Sequence, residues 1–395
     1  MSLRTTCRSI VPTKRGVNEL THISSISSCA VRVPLGQPVS FATRTVEARE
    51  YLLVRVTGDD GIVGVGFCYP GDRGAQLAQS AVHQLLGTLV VGQDAHMVPA
   101  IWQRNHQSAL LHGRAGVVMR ALSAIDIALW DRNARAAGLP LHRFLGSVCD
   151  RVPAYASGGY YLAGKTLDDF ARELADYVTA GYRAVKIKVG QLDIAGERER
   201  MAVAREAIGP DVFLMLDASN AWRDVASADR FLRLCYEPFD PYWIEEPFGP
   251  DDVLNHAGLA NRTRVPVATG EILAGRQSFL GLMREKACAI VQPDAQVCGG
   301  ITEYRRIAAT AESFGIAVCP HAFHDLHKHL VAASINSPFV EVFTDNSILN
   351  FTALLDRQSL IEDGEVVLGD EPGLGFDFDE SVVDRHAITS WEEVS

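Results

Sequence analysis

Ala184-Val185-Lys186-Ile187-Lys188-Val189-Gly190 alternates apolar and basic residues and then stops at a glycine. The period of two predicts a short strand, with Lys186 and Lys188 on one side and Val185 and Ile187 on the other. Two cations on one strand face can be an ordinary solvated edge, or the mouth of a site that holds negative charge. The downstream sequence favours the second. Phe213-Leu214-Met215-Leu216 ends in Asp217, Tyr242-Trp243-Ile244 in Glu245-Glu246-Pro247, and Val265 to Gly270 in Glu271. Ala289-Ile290-Val291-Gln292-Pro293 runs into Asp294, Ile316 to Pro320 into His321, and Phe339-Val340 into Glu341. Apolar runs tipped by an ionisable residue thus recur every 20 to 30 residues or so. Amphipathic segments fill the gaps, which is the rhythm of consecutive βα units. In a parallel barrel every strand delivers its C-terminal end to one rim, where active sites are built.

Length and composition agree. A chain of 395 residues exceeds one ordinary domain and suits a barrel of about 250 residues plus a second domain. Its 47% hydrophobic content supports a large core. The net charge of −11 and the lack of a basic stripe argue against a nucleic-acid partner. Eight cysteines (7, 29, 68, 149, 235, 288, 298 and 319) are scattered without a C-x-x-C. Even Cys298 and Cys319, near the expected rim, read as small packing residues in a reducing compartment. No apolar run reaches membrane-spanning length and the first residues lack a signal-peptide core, so no membrane partner and a cytoplasmic location are expected.

Residues 1–21 form a mildly basic extension to which the sequence assigns no function. The 22–148 stretch reads as three strands followed by helices, an α+β unit separate from the barrel. Its strands run from His22 to Val33, from Thr43 to Val56 and from Ile62 to Phe67, with a loop at 34–41 and a turn at Asp59-Asp60-Gly61. Helical patterns follow at about 75–90, 97–110 and 115–137. The barrel is expected over 149–350, with Ser157-Gly158-Gly159-Tyr160-Tyr161 as the rim loop after its first strand. Residues 351–395 form a C-terminal segment that returns to the first domain.

Asp217, Glu245 and Glu271 end three successive strands, so adjacent staves can aim three carboxylates at one point. Unpaired, they would repel and raise one another's pKa. A hard divalent cation removes that problem, and an all-oxygen shell suits one Mg²⁺ with positions open for water and substrate. Asp294 and His321 come next along the rim, a carboxylate that fixes the tautomer of an imidazole and raises its basicity. Barrel order sets this pair across from the lysine strand, giving a base on each face of a metal-bound substrate. Proton abstraction beside a carboxylate needs such an arrangement. Lys186 would help neutralise the enediolate, and Glu341, if protonated, would donate a hydrogen bond to it.

Together Lys186-x-Lys188, Asp217, Trp243-Ile244-Glu245-Glu246-Pro247, Gly270-Glu271, Pro293-Asp294-Ala295 with Gly299-Gly300, His321 and Glu341 resemble the enolase superfamily, mandelate racemase subgroup. The helix segment Ala124 to Asp131 is similar as well. The resemblance covers nearly the whole chain after residue 22. It implies an α/β fold, a modified TIM barrel (β/α)₇β with an N-terminal α+β capping domain. It further implies Mg²⁺ on Asp217, Glu245 and Glu271, acid/base catalysis by Lys188 and the His321–Asp294 dyad, and Lys186 and Glu341 on the substrate carboxylate. Strand alternation admits only one of Glu245 and Glu246 inward; the resemblance selects Glu245. Where the family reads Asp-x-Asn, this chain has Asp217-Ala218-Ser219-Asn220, so either Ser219 or a bulged Asn220 supplies the polar contact to substrate.

An enediolate has two fates. Return of the proton gives an epimer, whereas loss of a β-hydroxyl gives a 2-keto-3-deoxy acid. Polar loops around the rim, with Arg44 in 34–44, Arg73 in 69–74, and Tyr160 and His324 beyond, suit a polyhydroxylated acid. Dehydration of an acid sugar, aldonate or aldarate, is the preferred expectation, with racemisation or epimerisation of a 2-hydroxy acid second. A non-catalytic sugar-acid-binding barrel would show gaps among Lys186, Lys188, Asp294, His321 and Glu341, and there are none. Metal-dependent hydrolysis usually recruits histidine ligands, absent from the three proposed. The expected partner is a small-molecule carboxylate, and the protein is expected to form a homo-oligomer.

Overall fold

The computed structural model describes residues 20–40, 45–345 and 347–395. Of the 1–21 extension only the last two residues fall within it. The chain opens with an antiparallel meander, β1 (Ile23–Ser40), β2 (Thr45–Gly58) and β3 (Val63–Cys68). The long helix Val117–Ala136 lies on this sheet. Two glycines in β3 explain the close approach. A Cβ at Gly64 would come within 2.2 Å of the Ala128 carbonyl oxygen, and one at Gly66 within 2.1 Å of that of Ala124.

Over its described residues, 34–40, the loop expected at 34–41 is instead strand. β1 continues to Ser40, with Val39 opposite Val46 and Ser40 opposite Thr45, after a register shift beyond Pro34. Leu35 and Val39 are buried here against Val46, Tyr160 and Ile348, so the hairpin arm packs down on the barrel rim. That tertiary surface, which local propensity cannot report, orders the segment.

Eight parallel strands follow in chain order: β4 (Arg151–Gly158), β5 (Ala184–Lys188), β6 (Phe213–Asp217), β7 (Pro241–Glu245), β8 (Val267–Thr269), β9 (Ile290–Val291), β10 (Ala317–Val318) and β11 (Val340–Phe343). The strands from β4 through β10 are laddered in sequence order, and β11 returns to pair with β4, as in a TIM barrel. Tyr155, Ala184, Met215, Trp243, Ala268, Ile290 and Cys319 fill the interior, one from each of seven successive strands or strand ends. Large and small side chains interdigitate there, with Tyr155 edge-on to Trp243 at 5.4 Å between ring centroids.

The C-terminal segment returns in two steps. Its hairpin, β12 (Ile361–Glu362) and β13 (Glu365–Val367), pairs antiparallel with the start of β4. β14 (Glu392–Val394) then adds to β1 as the edge of the first sheet. No helix among the described residues is long and apolar enough to cross a membrane.

The long helix of the first domain meets the barrel helix Gly300–Ser313 at a buried polar lock. Asp126, on the helix Val117–Ala136, accepts from the backbone N–H of Thr302 at 2.8 Å and from its hydroxyl at 2.6 Å. Trp130 Nε1 donates to the same hydroxyl at 2.9 Å, and Trp102 Nε1 donates to the Gly299 carbonyl at 2.7 Å. Burial pushes the Asp126 carboxyl up to about 7, even though the Thr302 donors favour its anion. Gly300 sits against it at φ +82°, where an added Cβ would lie 2.3 Å from Asp126 Oδ2. Gly300→Ala should therefore destabilise the protein by about 3 kcal/mol through strain and displacement of Asp126. Gly281→Ala, in an uncrowded helical position, should be neutral or stabilising by up to about 1 kcal/mol. Denaturant unfolding of the two variants checks this, and equal stabilities would contradict it.

Candidate active site

Strand register assembles the rim. Lys188 on β5 is paired with Asp217 on β6, and Asp217 with Glu245 on β7, so three strands deliver a cation and two carboxylates in one row. Lys186, two residues earlier, points to the same side. Its Nζ lies 2.7 Å from Glu245 Oε1, 2.7 Å from Glu341 Oε1 and 3.7 Å from Asp217 Oδ2, and the residue is 2% exposed. Lys188 ion-pairs with Asp217 and stands 3.4 Å from Ser219 Oγ.

These contacts set the ionisation pattern. Burial works against the charge on Asp217, but Lys188 and Lys186 outweigh it and hold the carboxyl well below its usual range. Burial likewise opposes both ammonium groups, yet their carboxylate neighbours keep both lysines protonated. For Glu245, burial and the surrounding anions prevail over Lys186 and push it up to about 8. Glu341 goes the other way. Despite its burial, Lys186 and His321 hold it low, and its Oε2 accepts from the Ala322 N–H at 2.7 Å. The condition set for its donating a hydrogen bond, that it be protonated, is not met here, because a buried ammonium sits directly against it.

His321 follows β10. Its Nδ1 is 3.2 Å from Asp294 Oδ2 and its Nε2 3.6 Å from Glu271 Oε2. Burial opposes its charge, but Glu271, Asp294 and Glu341 together push the imidazole up to about 9. Asp294 Oδ1 accepts from the Gln296 N–H at 2.8 Å, which fixes the carboxylate against the chain that follows it. His327 Nε2 lies 3.6 Å from the same oxygen, a neighbour the sequence did not single out.

Left-handed backbone re-aims several side chains at this rim: Ser219 (φ 46°), Asn220 (φ 64°), Glu246 (φ 42°), Ala322 (φ 52°) and Phe323 (φ 43°). Such conformations are costly for non-glycine residues and cluster at functional sites. The Ser219 hydroxyl and N–H both donate to Asp217 Oδ1, at 3.0 and 2.8 Å. Asn220 Nδ2 donates to Glu246 Oε2 at 3.1 Å. Both residues line the cavity, so the extra residue after Asp217 places two polar side chains there. Glu246 lines it too, although alternation admits only one of Glu245 and Glu246 inward; the left-handed turn at Glu246 breaks the period of two. Burial and the charges of Glu271, Asp217 and Glu245 raise the Glu246 carboxyl well above its usual range.

The cavity measures about 330 Å³ and lies between the barrel rim and the first domain. Lys186, Lys188, Tyr160, Glu271, Asp294, His321 and Glu341 line it from the barrel. Arg49, Tyr69, Asp72 and Arg120 line it from the other side, and the sequence reading gave no role to Arg49, Tyr69 or Arg120. Arg73 is not among the lining residues; its neighbour Asp72 is. Nor is His324, which is buried 3.6 Å from Asp325, a carboxylate bonded to Ser359. The left-handed turn at Phe323 starts a helix there that carries His324 away from the cavity. Arg44 lies outside the described residues.

No set of three acidic, imidazole or thiol groups among the described residues stands pre-assembled around a cation position. Lys186 and Lys188 lie instead against two of the three expected ligands. The donor chemistry nonetheless fits a hard divalent ion. Glu245 Oε2 and Glu246 Oε1 are buried carboxylate oxygens without a hydrogen-bond partner, and both groups carry raised pKa values that a cation would relieve. In the metal-free protein, NMR titration should find His321 ionising near 9. Asp294→Asn should move it toward the ordinary imidazole value of about 6.5; an unmoved titration would contradict the coupling.

Residues 169–382 match the family model described as enolase C-terminal domain-like, and residues 24–146 match that of the mandelate racemase / muconate lactonizing enzyme N-terminal domain. L-talarate/galactarate dehydratase of Salmonella typhimurium is 34% identical over 355 residues, which cover 88% of this chain and 87% of that protein. The 3,6-anhydro-alpha-L-galactonate cycloisomerase of Streptomyces coelicolor is 31% identical over 93% of this chain and 99% of its own. Among solved structures, L-talarate dehydratase from Polaromonas sp. JS666, complexed with Mg and L-glucarate, matches with a TM-score of 0.87 at 30% identity. That match covers 95% of this chain and 99% of the other. Two matching domain models, a barrel rim of charge-tipped strands and relatives alike over most of their length lead to one conclusion: the chain belongs to the mandelate racemase/muconate lactonizing enzyme family of the enolase superfamily.

Proposed function

We propose that this protein is a Mg²⁺-dependent acid-sugar dehydratase that converts an aldonate or aldarate to a 2-keto-3-deoxy acid and water. The observation that carries this reading is the pair of dissimilar acid/base groups, Lys188 and His321, at one carboxylate-lined cavity. Strand order puts β5 and β10 on well-separated sides of the barrel, with β6 to β8 and their acidic tips between them on one path. The similarity to L-talarate/galactarate dehydratase supports the same reaction.

Asp217, Glu245 and Glu271 would hold the Mg²⁺, which when bound supplies Lewis-acid charge at the substrate carboxylate. Lys186 adds a fixed ammonium beside that carboxylate, and Glu341 positions Lys186 through their ion pair. One of the two acid/base groups breaks the bond between C2 and its hydrogen, and the electron pair moves into the enediolate. The other protonates the β-hydroxyl as its bond to carbon breaks, so water leaves and the resulting enol ketonises. His321 has Nδ1 held by Asp294, which raises its basicity, and lines the cavity, which suits it to the acid step. Lys188 is held protonated by Asp217; with that carboxylate holding the cation, Lys188 would be released to serve as the base. Ser219, Asn220 and Tyr160 supply polar contacts for hydroxyls. Return of the proton to C2, which would make the enzyme a racemase or epimerase, uses the same groups. The seven described cysteines are unpaired, which supports a reducing, cytoplasmic setting.

Glu245→Gln and Glu271→Gln should each lower turnover by about a thousandfold or more while leaving unfolding cooperative. EDTA should inactivate the wild type, and Mg²⁺ should restore it. Keto-acid formation at full rate in metal-free protein would overturn the metal assignment.

Replacing whichever of Lys188 and His321 is the base, by Lys188→Ala or His321→Asn, should stop exchange of the substrate α-hydrogen with D₂O. The other variant should still exchange that hydrogen but make little keto acid. NMR of the recovered substrate distinguishes them, and normal turnover in both would remove the two-group mechanism.

A further inference from the structure

Acid sugars carry one carboxylate or two, and the catalytic groups at the barrel floor need only the first. Arg49, on β2 of the first domain, lines the opposite side of the cavity and is 6% exposed. Its Nε donates to the Ile348 carbonyl at 2.8 Å and its Nη1 to the Tyr69 hydroxyl at 2.9 Å, and its guanidinium lies 5.2 Å from the Tyr69 ring centroid. Every one of these partners is neutral. Among the described residues no carboxylate lies within ion-pair distance of Arg49, and its Nη2 makes no hydrogen bond. Buried Arg132 is paired with Asp60 and half-buried Arg135 with Asp131. Arg200, buried without a carboxylate partner among the described residues, is covered by the Tyr161 and Phe170 rings and the Gly159 carbonyl and does not line the cavity, whereas Arg49 does. A buried cation with no counter-charge is expensive to maintain and is retained where something completes it.

We propose that the second, distal carboxylate of the substrate completes Arg49, so that the enzyme acts on aldarates in preference to aldonates. This assignment rests on the dehydratase reading. Position supports it. Tyr69, which holds Arg49, packs 6.3 Å from the ring of Phe323, two residues beyond His321. Tyr160, which lines the cavity with Arg49, has its ring 5.3 Å from Lys188 Nζ. The arginine is thus bracketed by neighbours of both acid/base groups. A sugar acid with one carboxylate at Lys186 directs its other end toward the first domain, where Arg49 stands. Arg120, which donates to the Tyr69 carbonyl and lines the same cavity, adds a second positive charge there. A planar guanidinium with an unused edge matches a carboxylate in a way that a hydroxyl does not.

The test compares the Mg²⁺-loaded wild type with Arg49→Met and Arg49→Lys on matched six-carbon aldarates and aldonates of each stereoseries. Wild type should favour the diacid in kcat/KM by about tenfold or more, the scale of a charge-assisted hydrogen-bond pair. Arg49→Met should bring that ratio close to one, mainly through a higher KM for the diacid, and Arg49→Lys should restore part of it. A ratio unchanged in Arg49→Met, or a wild type that prefers monoacids, overturns the assignment and leaves the dehydratase reading standing. Equal losses on both substrate classes in Arg49→Met, with no recovery in Arg49→Lys, mark a structural role through Ile348 and also overturn it. A wild type that dehydrates no member of the panel overturns the dehydratase reading, and this assignment with it.

Discussion

Five carboxylates, from Asp217, Glu245, Glu246, Glu271 and Glu341, converge at one end of the barrel, and offsetting their mutual repulsion is the constraint on which this site depends. Two like charges 4 Å apart at an effective dielectric near 20 repel by about 4 kcal/mol, so several together cannot all stay ionised unaided. Lys186 touches Glu245 and Glu341 and lies near Asp217, while Lys188 takes Asp217 directly. The two ammonium groups do not cover the whole cluster. Glu245 and Glu246 remain shifted upward and keep orphaned oxygens. That residual imbalance is one that a divalent cation would relieve.

The rim would be open were it not for the first domain. The Asp126–Thr302 lock and the two tryptophan hydrogen bonds fix the long helix to the barrel. The hairpin arm seals against Tyr160 and Ile348 on another side. Tyr69 and Arg49 are thereby held over the charged floor. Chemistry is assigned to strand ends, which the barrel keeps rigid. The covering domain supplies Arg49, Tyr69, Asp72 and Arg120 to the opposite side of the cavity.

Much of this was legible in the sequence because β-strand ends obey simple rules. Lys186 and Lys188 share a face by the period of two, and each apolar run delivers its last polar residue to the same rim. What escaped did so where local rules stop applying. Glu246 turns inward through a left-handed backbone that no alternation pattern announces. His324 looked like a rim residue, but the turn at Phe323 starts a helix that buries it beside Asp325. Arg49 sits in Glu47-Ala48-Arg49-Glu50, which reads as an ordinary solvated strand face; only the docking of two domains reveals it as buried. Residues 34–40, with their glycine and prolines, resembled a loop until the barrel rim gave Leu35 and Val39 a surface to pack on. Short strands such as Ile290–Val291 and Ala317–Val318 were still identifiable, because the residues that follow them, Asp294 and His321, carry the signal.

The central claim is that this cavity removes the hydrogen beside a carboxylate and then expels the neighbouring hydroxyl. Incubation of the Mg²⁺-loaded protein with an acid-sugar panel in D₂O, followed by NMR and mass analysis of the products, tests it directly. The account predicts a 2-keto-3-deoxy acid that carries one solvent deuterium at C3, where the enol ketonises. Acid sugars recovered only as C2 epimers labelled at C2, with no keto acid, would contradict it.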